Sequence, residues 1–243
     1  MLLNSYQYLL KNLKIAKFIK YNISLLTKMV YPIGKRIFFP IVKLLWLEKI
    51  VGLSNLPQEP FVFACNHASF IDDVIVPVMV CKSINKYIHI YCNDTFLKNP
   101  LTQIYLEWGK VIPIRVYKSK DQKKINEKAV NLALEYLKKN EPVGLFPEGH
   151  RSKDGKLQKA YNGVASLALK AKVTVVPIGT TGTYEIWPKG KKLPNFNKCT
   201  INIGKPIHLD QYYGKEKNKK VLKEVTSLIM KEIAKLSKQK YNF

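Results

Sequence analysis

Acidic side chains are scarce in this sequence. Its 243 residues include 17 Asp and Glu against 41 Lys and Arg, which gives a formal net charge of +24 at pH 7. Because an excess this large repels itself, we expect a partner that carries negative charge. Phosphate is common to the three candidates, which are nucleic acid, an anionic membrane surface and a phosphorylated small molecule.

Cysteine, glycine and proline are also few. The four cysteines stand singly, and no Cys and His spacing suits zinc, so a disulfide framework and a zinc site are not expected. With 12 Gly, 13 Pro and 47% hydrophobic residues, the composition excludes a collagen-like, low-complexity or disordered chain. The length predicts one large globular domain with an attached segment.

Long apolar runs are absent. No window reaches the roughly 20 apolar residues that cross a bilayer, because charged residues at Lys28, Lys35, Arg36 and Lys43 interrupt the N-terminal stretches. The first residues also lack the apolar block and small-residue cleavage site of a secretory signal, so export is not indicated.

The N-terminal segment, residues 1–55, has its own pattern. Its first 50 residues contain nine Lys and Arg but a single acidic residue, Glu48. Apolar residues recur at helical spacing, at Leu2, Leu3, Tyr6, Leu9, Leu10 and Leu13. Lysines beside an apolar face are typical of a helix that lies in the lipid headgroup region. We therefore predict amphipathic membrane-associating helices over 1–55, with a helical hairpin packed on its own domain as the alternative.

From residue 56 to 243 the pattern predicts an α/β domain. Six strand-length apolar runs occur at 61–65, 87–92, 110–116, 142–146, 173–179 and 199–204. Helical patterns lie between them at 122–139 and 160–171, and a closing helix carries an apolar stripe from Val221 to Leu236. This alternation predicts a mostly parallel central sheet flanked by helices. Ligands bind beyond the carboxyl ends of such strands, so the residues after each run are the candidate site.

The first candidate motif is NHASFIDD, at 66–73, directly after the first of these runs. A loop leading into a helix can bring the carboxylate of Asp72 to the imidazole of His67. A carboxylate on one ring nitrogen leaves the other nitrogen free to accept a proton, as in a general base. The alternative for this pair alone is a helix-capping Asp beside a surface His.

The second candidate motif is FPEGHRS, at 146–152. Pro147 and Gly149 predict a tight turn with exposed backbone N–H groups, and Arg151 offers a planar fork of donors that suits phosphate. Glu148 would bind a hydroxyl group or orient an arginine, although an ordinary polar turn is the alternative. Two further segments end strand candidates: GKVIPIRV, which contains Arg115, and VVPIG, at 175–179.

In order, NHxSxxD, Gly-x5-Arg, FPEGxRS and VPI resemble the four sequence blocks of the glycerolipid acyltransferase family, the 1-acylglycerol-3-phosphate acyltransferases. The resemblance spans roughly residues 60 to 180. It implies that His67 and Asp72 form a catalytic dyad, and that substrate is bound by a second set of residues: Arg115, Glu148, Gly149 and Arg151. It also implies an N-terminal helical pair at the membrane surface.

The implied reaction moves a fatty acyl group from acyl-CoA or acyl carrier protein to the sn-2 hydroxyl of 1-acylglycerol 3-phosphate, which gives phosphatidic acid. No metal and no bound cofactor are implied. The expected partners are the acyl donor, the lysophospholipid acceptor and an anionic membrane surface, with a monotopic location on the cytoplasmic face.

The chain departs from the family pattern at two places. His150 stands where Thr is usual, and Pro113 with Ile114 replaces an aromatic residue and an acid before Arg115. The choice of acceptor therefore stays open, with glycerol 3-phosphate or another lysophospholipid as alternatives. A basic nucleic-acid-binding protein is the alternative from another class, although no nucleic-acid-binding signature is present.

Overall fold

A computed structural model describes residues 39–98 and 109–243. The predicted amphipathic helices within residues 1–38 lie outside the described residues. The strands are β1 Leu47–Val51, β2 Phe61–Cys65, β3 His89–Asn93, β4 Ile112–Ile114, β5 Val143–Leu145, β6 Thr174–Thr181 and β7 Cys199–Ile203. The helices are α1 (39–46), α2 Asp72–Ile84, α3 Gln122–Lys138, α4 Gly163–Ala171, α5 Thr183–Ile186 and α6 Lys219–Leu236, with 3₁₀ turns at Leu53–Asn55, Asp94–Lys98 and Asp210–Tyr212.

The seven strands form one sheet in the order β1-β7-β6-β2-β5-β3-β4. Every neighbouring pair is parallel except β6 and β7, which are antiparallel. The predicted mostly parallel α/β sheet is thus confirmed. Because β2 to β6 run in one direction, the loops that follow them lie at one edge of the sheet.

The alternation of side chains along β2 builds a core on each face of the sheet. Val62 and Ala64 pack with α3, α4 and α6 on one face. Phe61 and Phe63 pack with α2 on the other. All five residues of β2 are completely buried, so the central strand reads as a continuous apolar run rather than an alternating one.

One strand was not expected from the sequence. Leu47–Val51 forms the edge strand β1 and pairs in parallel with β7, with Leu47 opposite Cys199. This strand lies inside the segment 1–55 that was predicted to be helical, so the sheet begins before residue 56. Within the described ranges, no helix is both long and apolar enough to cross a bilayer.

Candidate active site

His67 and Asp72 come together at the carboxyl end of β2. The distance between His67 Nδ1 and Asp72 Oδ2 is 3.4 Å, and the Asp72 side chain is fully buried. Among the described residues, Nε2 of His67 has no hydrogen-bond partner; the nearest carboxylate oxygen, Asp73 Oδ2, is 3.7 Å away. The imidazole therefore has one nitrogen held by a carboxylate and one nitrogen open to accept a proton, which is the arrangement of a general base.

Local hydrogen bonds explain why the motif folds in this way. Asp72 Oδ2 accepts from the backbone N–H of Ser69 at 2.7 Å, which closes the turn between His67 and the start of α2. Asp72 and Asp73 occupy the first turn of α2, where the helix dipole favours negative charge. The Ser69 hydroxyl donates to the carbonyl of Trp187 at 2.8 Å, so it is committed to holding the turn.

Asn66 and Thr180 hydrogen-bond to each other and join this loop to β6, which neighbours β2 in the sheet. The backbone N–H of Thr180 donates to Asn66 Oδ1 at 2.7 Å, and Asn66 Nδ2 donates to the carbonyl of Thr180 at 3.2 Å. The Thr180 hydroxyl lies 3.3 Å from Asp72 Oδ1. Thr180 was not among the site residues predicted from the sequence, although its place directly after the run 175–179, at the end of a strand candidate, was the available signal. Val176 and Ile178 are instead part of the core.

Glu148 holds the loop that carries His67. Its Oε1 accepts from the backbone N–H of His67 at 2.7 Å, and its Oε2 accepts from the backbone N–H of Gln158 at 2.6 Å. The carboxyl group is buried, and burial raises its pKa to about 7 even though both amide donors favour the charged form. Both oxygens are thus used inside the protein. Glu148 was predicted to bind substrate, but its contacts are those of a group that supports His67.

The predicted tight turn is present in FPEGHRS. The N–H of Gly149 donates to the carbonyl of Phe146 at 3.0 Å, and Gly149 has a φ of 70°, a conformation that favours glycine. A Cβ atom at this position would lie 3.0 Å from the ring of Tyr161. Phe146 stacks on the imidazole of His67 with ring centroids 4.0 Å apart. The turn therefore holds the ring of Phe146 against one face of the His67 imidazole, the proposed base.

Two residues near the C-terminus, Gln239 and Tyr241, hold the loop at 155–160 that follows this turn. Gln239 Oε1 accepts from the N–H of Leu157 at 2.7 Å, and Gln239 Nε2 donates to the carbonyl of Gly155 at 3.2 Å. The Tyr241 hydroxyl accepts from the N–H of Ala160 at 3.3 Å. The sequence alone predicted no role for Gln239 and Tyr241.

A cavity of about 520 Å³ opens beside His67. It is lined by three of the four residues predicted to bind substrate, Arg115, Gly149 and Arg151. The guanidinium of Arg151 lies over the ring of Phe70, 5.4 Å from its centroid. It has no ion pair with any residue in the described part of the chain, which leaves its fork of donors available to an anion.

Arg115 is engaged differently. Its Nε and Nη2 both contact Asp94 Oδ2, at 2.7 and 2.5 Å, and its Nη1 donates to Ser119 at 3.2 Å. The adjacent Asp94 carboxylate raises the pKa of Arg115. The structure therefore brings Arg115 to the cavity with its charge already paired.

A second carboxylate, Asp73, faces the open side of His67. Burial lowers the pKa of His67, but the negative charges of Asp73 and Asp72 outweigh burial, so the net shift is upward. Burial raises the pKa of Asp73, and the positive charges of His67 and Arg151 oppose that effect. Asp73 was not among the site residues predicted from the sequence, although it directly follows the predicted dyad member Asp72.

Replacing Asp73 by Asn is expected to move the acidic limb of the pH profile of kcat/KM to lower pH. The substitution removes a negative charge that favours the imidazolium, so His67 loses its proton at lower pH and is a competent base there. The profile is measured for parent and variant, with Asp210→Asn as a control of equal charge change on an exposed turn. An acidic limb that does not move in Asp73→Asn would exclude this electrostatic role.

The thiols near the site are poor nucleophiles. Burial raises the pKa of Cys65, which directly precedes the motif, well above its usual value. Cys92 lines the cavity, and burial raises its pKa to about 12. Since a thiol attacks as the thiolate, neither residue is suited to form an acyl-enzyme.

Two proteins of known name have sequences similar to this chain. The chain is 33% identical over 162 residues to a chloroplastic 1-acyl-sn-glycerol-3-phosphate acyltransferase of Arabidopsis thaliana, a match that covers 65% of this chain and 43% of the relative. The enzyme of that name from Bacillus subtilis is 26% identical over 162 residues, covering 66% of this chain and 73% of the relative. The chain thus spans less than half the length of the plant relative.

Two further similarities concern the fold and the family. The crystal structure of the 1-acyl-sn-glycerophosphate acyltransferase PlsC from Thermotoga maritima is similar with a TM-score of 0.62 at 22% identity, covering 92% of this chain and 84% of that chain. The sequence pattern of the Acyltransferase family matches residues 49–181, more than half of the chain and all of the proposed site. The chain therefore belongs to the Acyltransferase family.

Proposed function

We propose that the protein transfers a fatty acyl group from acyl-CoA or acyl carrier protein to the sn-2 hydroxyl of 1-acylglycerol 3-phosphate, giving phosphatidic acid. The observation that carries the proposal is that His67, whose Nε2 has no hydrogen-bond partner among the described residues, lines the same cavity as Arg151. The named relatives act on this acceptor. Family membership favours this enzyme over a nucleic-acid-binding protein.

In the proposed reaction, His67 Nε2 takes the proton of the acceptor hydroxyl while the hydroxyl oxygen attacks the thioester carbonyl. Asp72 holds the proton of Nδ1 and stabilises the imidazolium that forms. The C–S bond then breaks, and the leaving thiolate receives the proton from Nε2. The products are an ester and a free thiol. The Ser69 hydroxyl is committed to Trp187, and the pKa values of the Cys65 and Cys92 thiols are raised, so we propose direct transfer without an acyl-enzyme.

Arg151 is the residue that we assign to the acceptor phosphate. Its guanidinium has no ion pair in the described ranges, and phosphate accepts two parallel hydrogen bonds from such a fork. The remainder of the cavity wall is partly apolar and suits acyl chains, with Phe96, Ile114, Val116, Leu145 and Val164 among its lining residues. Arg115, which is paired with Asp94, would support this wall.

Both acceptor and product are lipids, so we further propose that the enzyme works on the cytoplasmic face of a membrane as a monotopic protein. The net charge of +24 supports attraction to an anionic surface. The amphipathic helices predicted ahead of β1 would supply the attachment.

The test is acyl transfer by purified full-length protein to lysophosphatidic acid, monoacylglycerol and glycerol 3-phosphate, with acyl-CoA and acyl carrier protein as donors. We expect kcat/KM to be highest with lysophosphatidic acid. Arg151→Gln should lower this value by roughly 100-fold while turnover of monoacylglycerol is retained, because a hydrogen bond to a charged group is worth about 1.5 to 3 kcal/mol.

Arg115→Gln is the matched control. It removes the same charge from the same cavity, but from a side chain already paired with Asp94. We expect it to lower the melting temperature and to keep the preference for the phosphate-bearing acceptor. Equal turnover of all acceptors by the parent, or an unchanged preference in Arg151→Gln, would contradict the proposed acceptor site.

A further inference from the structure

A loop of residues 188–198 presents large apolar side chains to solvent. Leu193 is 74% exposed and Phe196 is 75% exposed, although both side chains belong to types that are usually buried. The loop lies between α5 and β7, outside the dyad and its supporting hydrogen bonds.

Hydrogen bonds anchor the loop in the conformation that exposes Leu193 and Phe196. Asn195 is fixed at three points: its backbone N–H donates to the carbonyl of Ile186 at 2.8 Å, its Nδ2 donates to the carbonyl of Glu185 at 2.9 Å, and its carbonyl accepts from Trp46 Nε1 at 2.8 Å. The indole N–H of Trp187 donates to the carbonyl of Lys191 at 2.9 Å. A loop anchored in this way has little freedom to fold its apolar side chains inward.

The loop also adjoins an apolar part of α1. Trp46 follows Leu44 on that helix, and Lys198 Nζ donates to the carbonyl of Leu44. Leu44 is 75% exposed, and Ile41 lies one helical turn before it with 45% exposure. Exposed apolar side chains thus occur on both of the joined segments, and α1 belongs to the segment 1–55 that is predicted to associate with membrane.

The charged residues within the loop are all lysines, which favours an anionic partner. The 188–198 loop contains no acidic residue and four lysines: Lys189, Lys191, Lys192 and Lys198. The acidic residues on the adjoining elements are Glu185 in α5 and Glu48 in β1. Apolar side chains flanked by lysines match a lipid surface, where aliphatic groups enter the acyl boundary and ammonium groups meet phosphates.

The loop reaches the proposed active site. Lys189 lines the same cavity as His67 and Arg151. A membrane that contacts Leu193 and Phe196, which lie on the same loop as Lys189, would therefore lie close to this cavity.

We propose that the 188–198 loop is a second membrane-docking element, which inserts Leu193 and Phe196 into an anionic lipid surface and places the cavity entrance against it. The proposal rests on the proposed function for its biological purpose, since a lipid acceptor would then enter the cavity without crossing water. The docking itself is independent of turnover and can be measured separately.

The experiment is cosedimentation of the full chain with vesicles of phosphatidylcholine containing phosphatidylglycerol, carried out in a His67→Ala background so that catalysis does not enter. The double substitution Leu193→Ser and Phe196→Ser is expected to weaken partitioning at least tenfold. Lys189→Gln with Lys192→Gln should weaken binding to the anionic vesicles by about fivefold per lysine, equivalent to about 1 kcal/mol each, without changing binding to pure phosphatidylcholine.

Leu228→Ser is the matched control, because Leu228 is an exposed apolar residue on α6, outside the loop. It should partition like the parent, and circular dichroism melts should show all variants folded. Partitioning of the double variant within twofold of the parent would overturn the proposal. Self-association of the parent without lipid, abolished by the double substitution, would also overturn it and assign the surface to a second copy of the chain.

Discussion

Replacing His67 by alanine is expected to lower kcat for the proposed acyl transfer by roughly 10² to 10⁴-fold, the range that a positioned general base contributes. The reason is geometric: His67 lines the cavity, its Nδ1 is held by Asp72, and its Nε2 has no hydrogen-bond partner among the described residues. The measurement is single-turnover transfer to lysophosphatidic acid at a pH above the acidic limb of the parent.

His208→Ala is the control for this substitution, because His208 is exposed and lies outside the cavity. It should retain the activity of the parent. If His67→Ala instead turned over at the rate of the parent and were correctly folded, the assignment of the base would be wrong.

Replacing Glu148 by glutamine is expected to destabilise the fold by about 3 kcal/mol and to lower activity by roughly 100-fold. The amide group keeps the volume of the side chain but turns one of its two acceptors into a donor, which then faces the backbone N–H of His67 or Gln158. A displaced N–H moves the His67 loop, and misplacement by about 1 Å can cost 100-fold in rate. Thermal melts and kcat/KM check the two effects.

The pH dependence of stability gives a second readout for Glu148. Burial raises its pKa in the folded protein from the ordinary 4.5 to about 7. The folded state therefore binds the proton more tightly, so the contribution of this group to stability is full below pH 4.5 and is lost as pH rises through 7. Glu148→Gln should remove this decline, whereas Glu127→Gln, on the exposed side of α3, should leave both stability and its pH dependence unchanged.

The central part of the fold could be predicted from the sequence because its strands are buried on both faces. The run FVFAC, at 61–65, coincides with β2 in full. The edge strand β1 could not be predicted, because only Leu47 of its five residues is buried and Glu48 and Lys49 interrupt the apolar pattern. Its conformation depends on pairing with β7, which lies some 150 residues further along the chain.

The candidate site was predictable to the extent that its residues lie within short motifs. The His67 and Asp72 pair and the turn of Gly149 follow from local spacing and turn chemistry. The partners of Glu148 and Arg115 do not, because they lie on other segments: His67 is 81 residues from Glu148, and Asp94 is 21 residues from Arg115. A motif shows that a charged side chain is present, but only the fold shows whether that charge is already paired.

The contact between Gln239 and the loop at Leu157 also orders events during synthesis. The two residues are 82 positions apart, and the side-chain bond to the N–H of Leu157 cannot form until the tail has been made. On a ribosome, β2 with His67 and the FPEGHRS turn emerge well before residue 239 does. The loop that supports Glu148 is therefore completed by a residue that lies 82 positions after it in the chain, so the nascent chain reaches this geometry only once residue 239 has emerged.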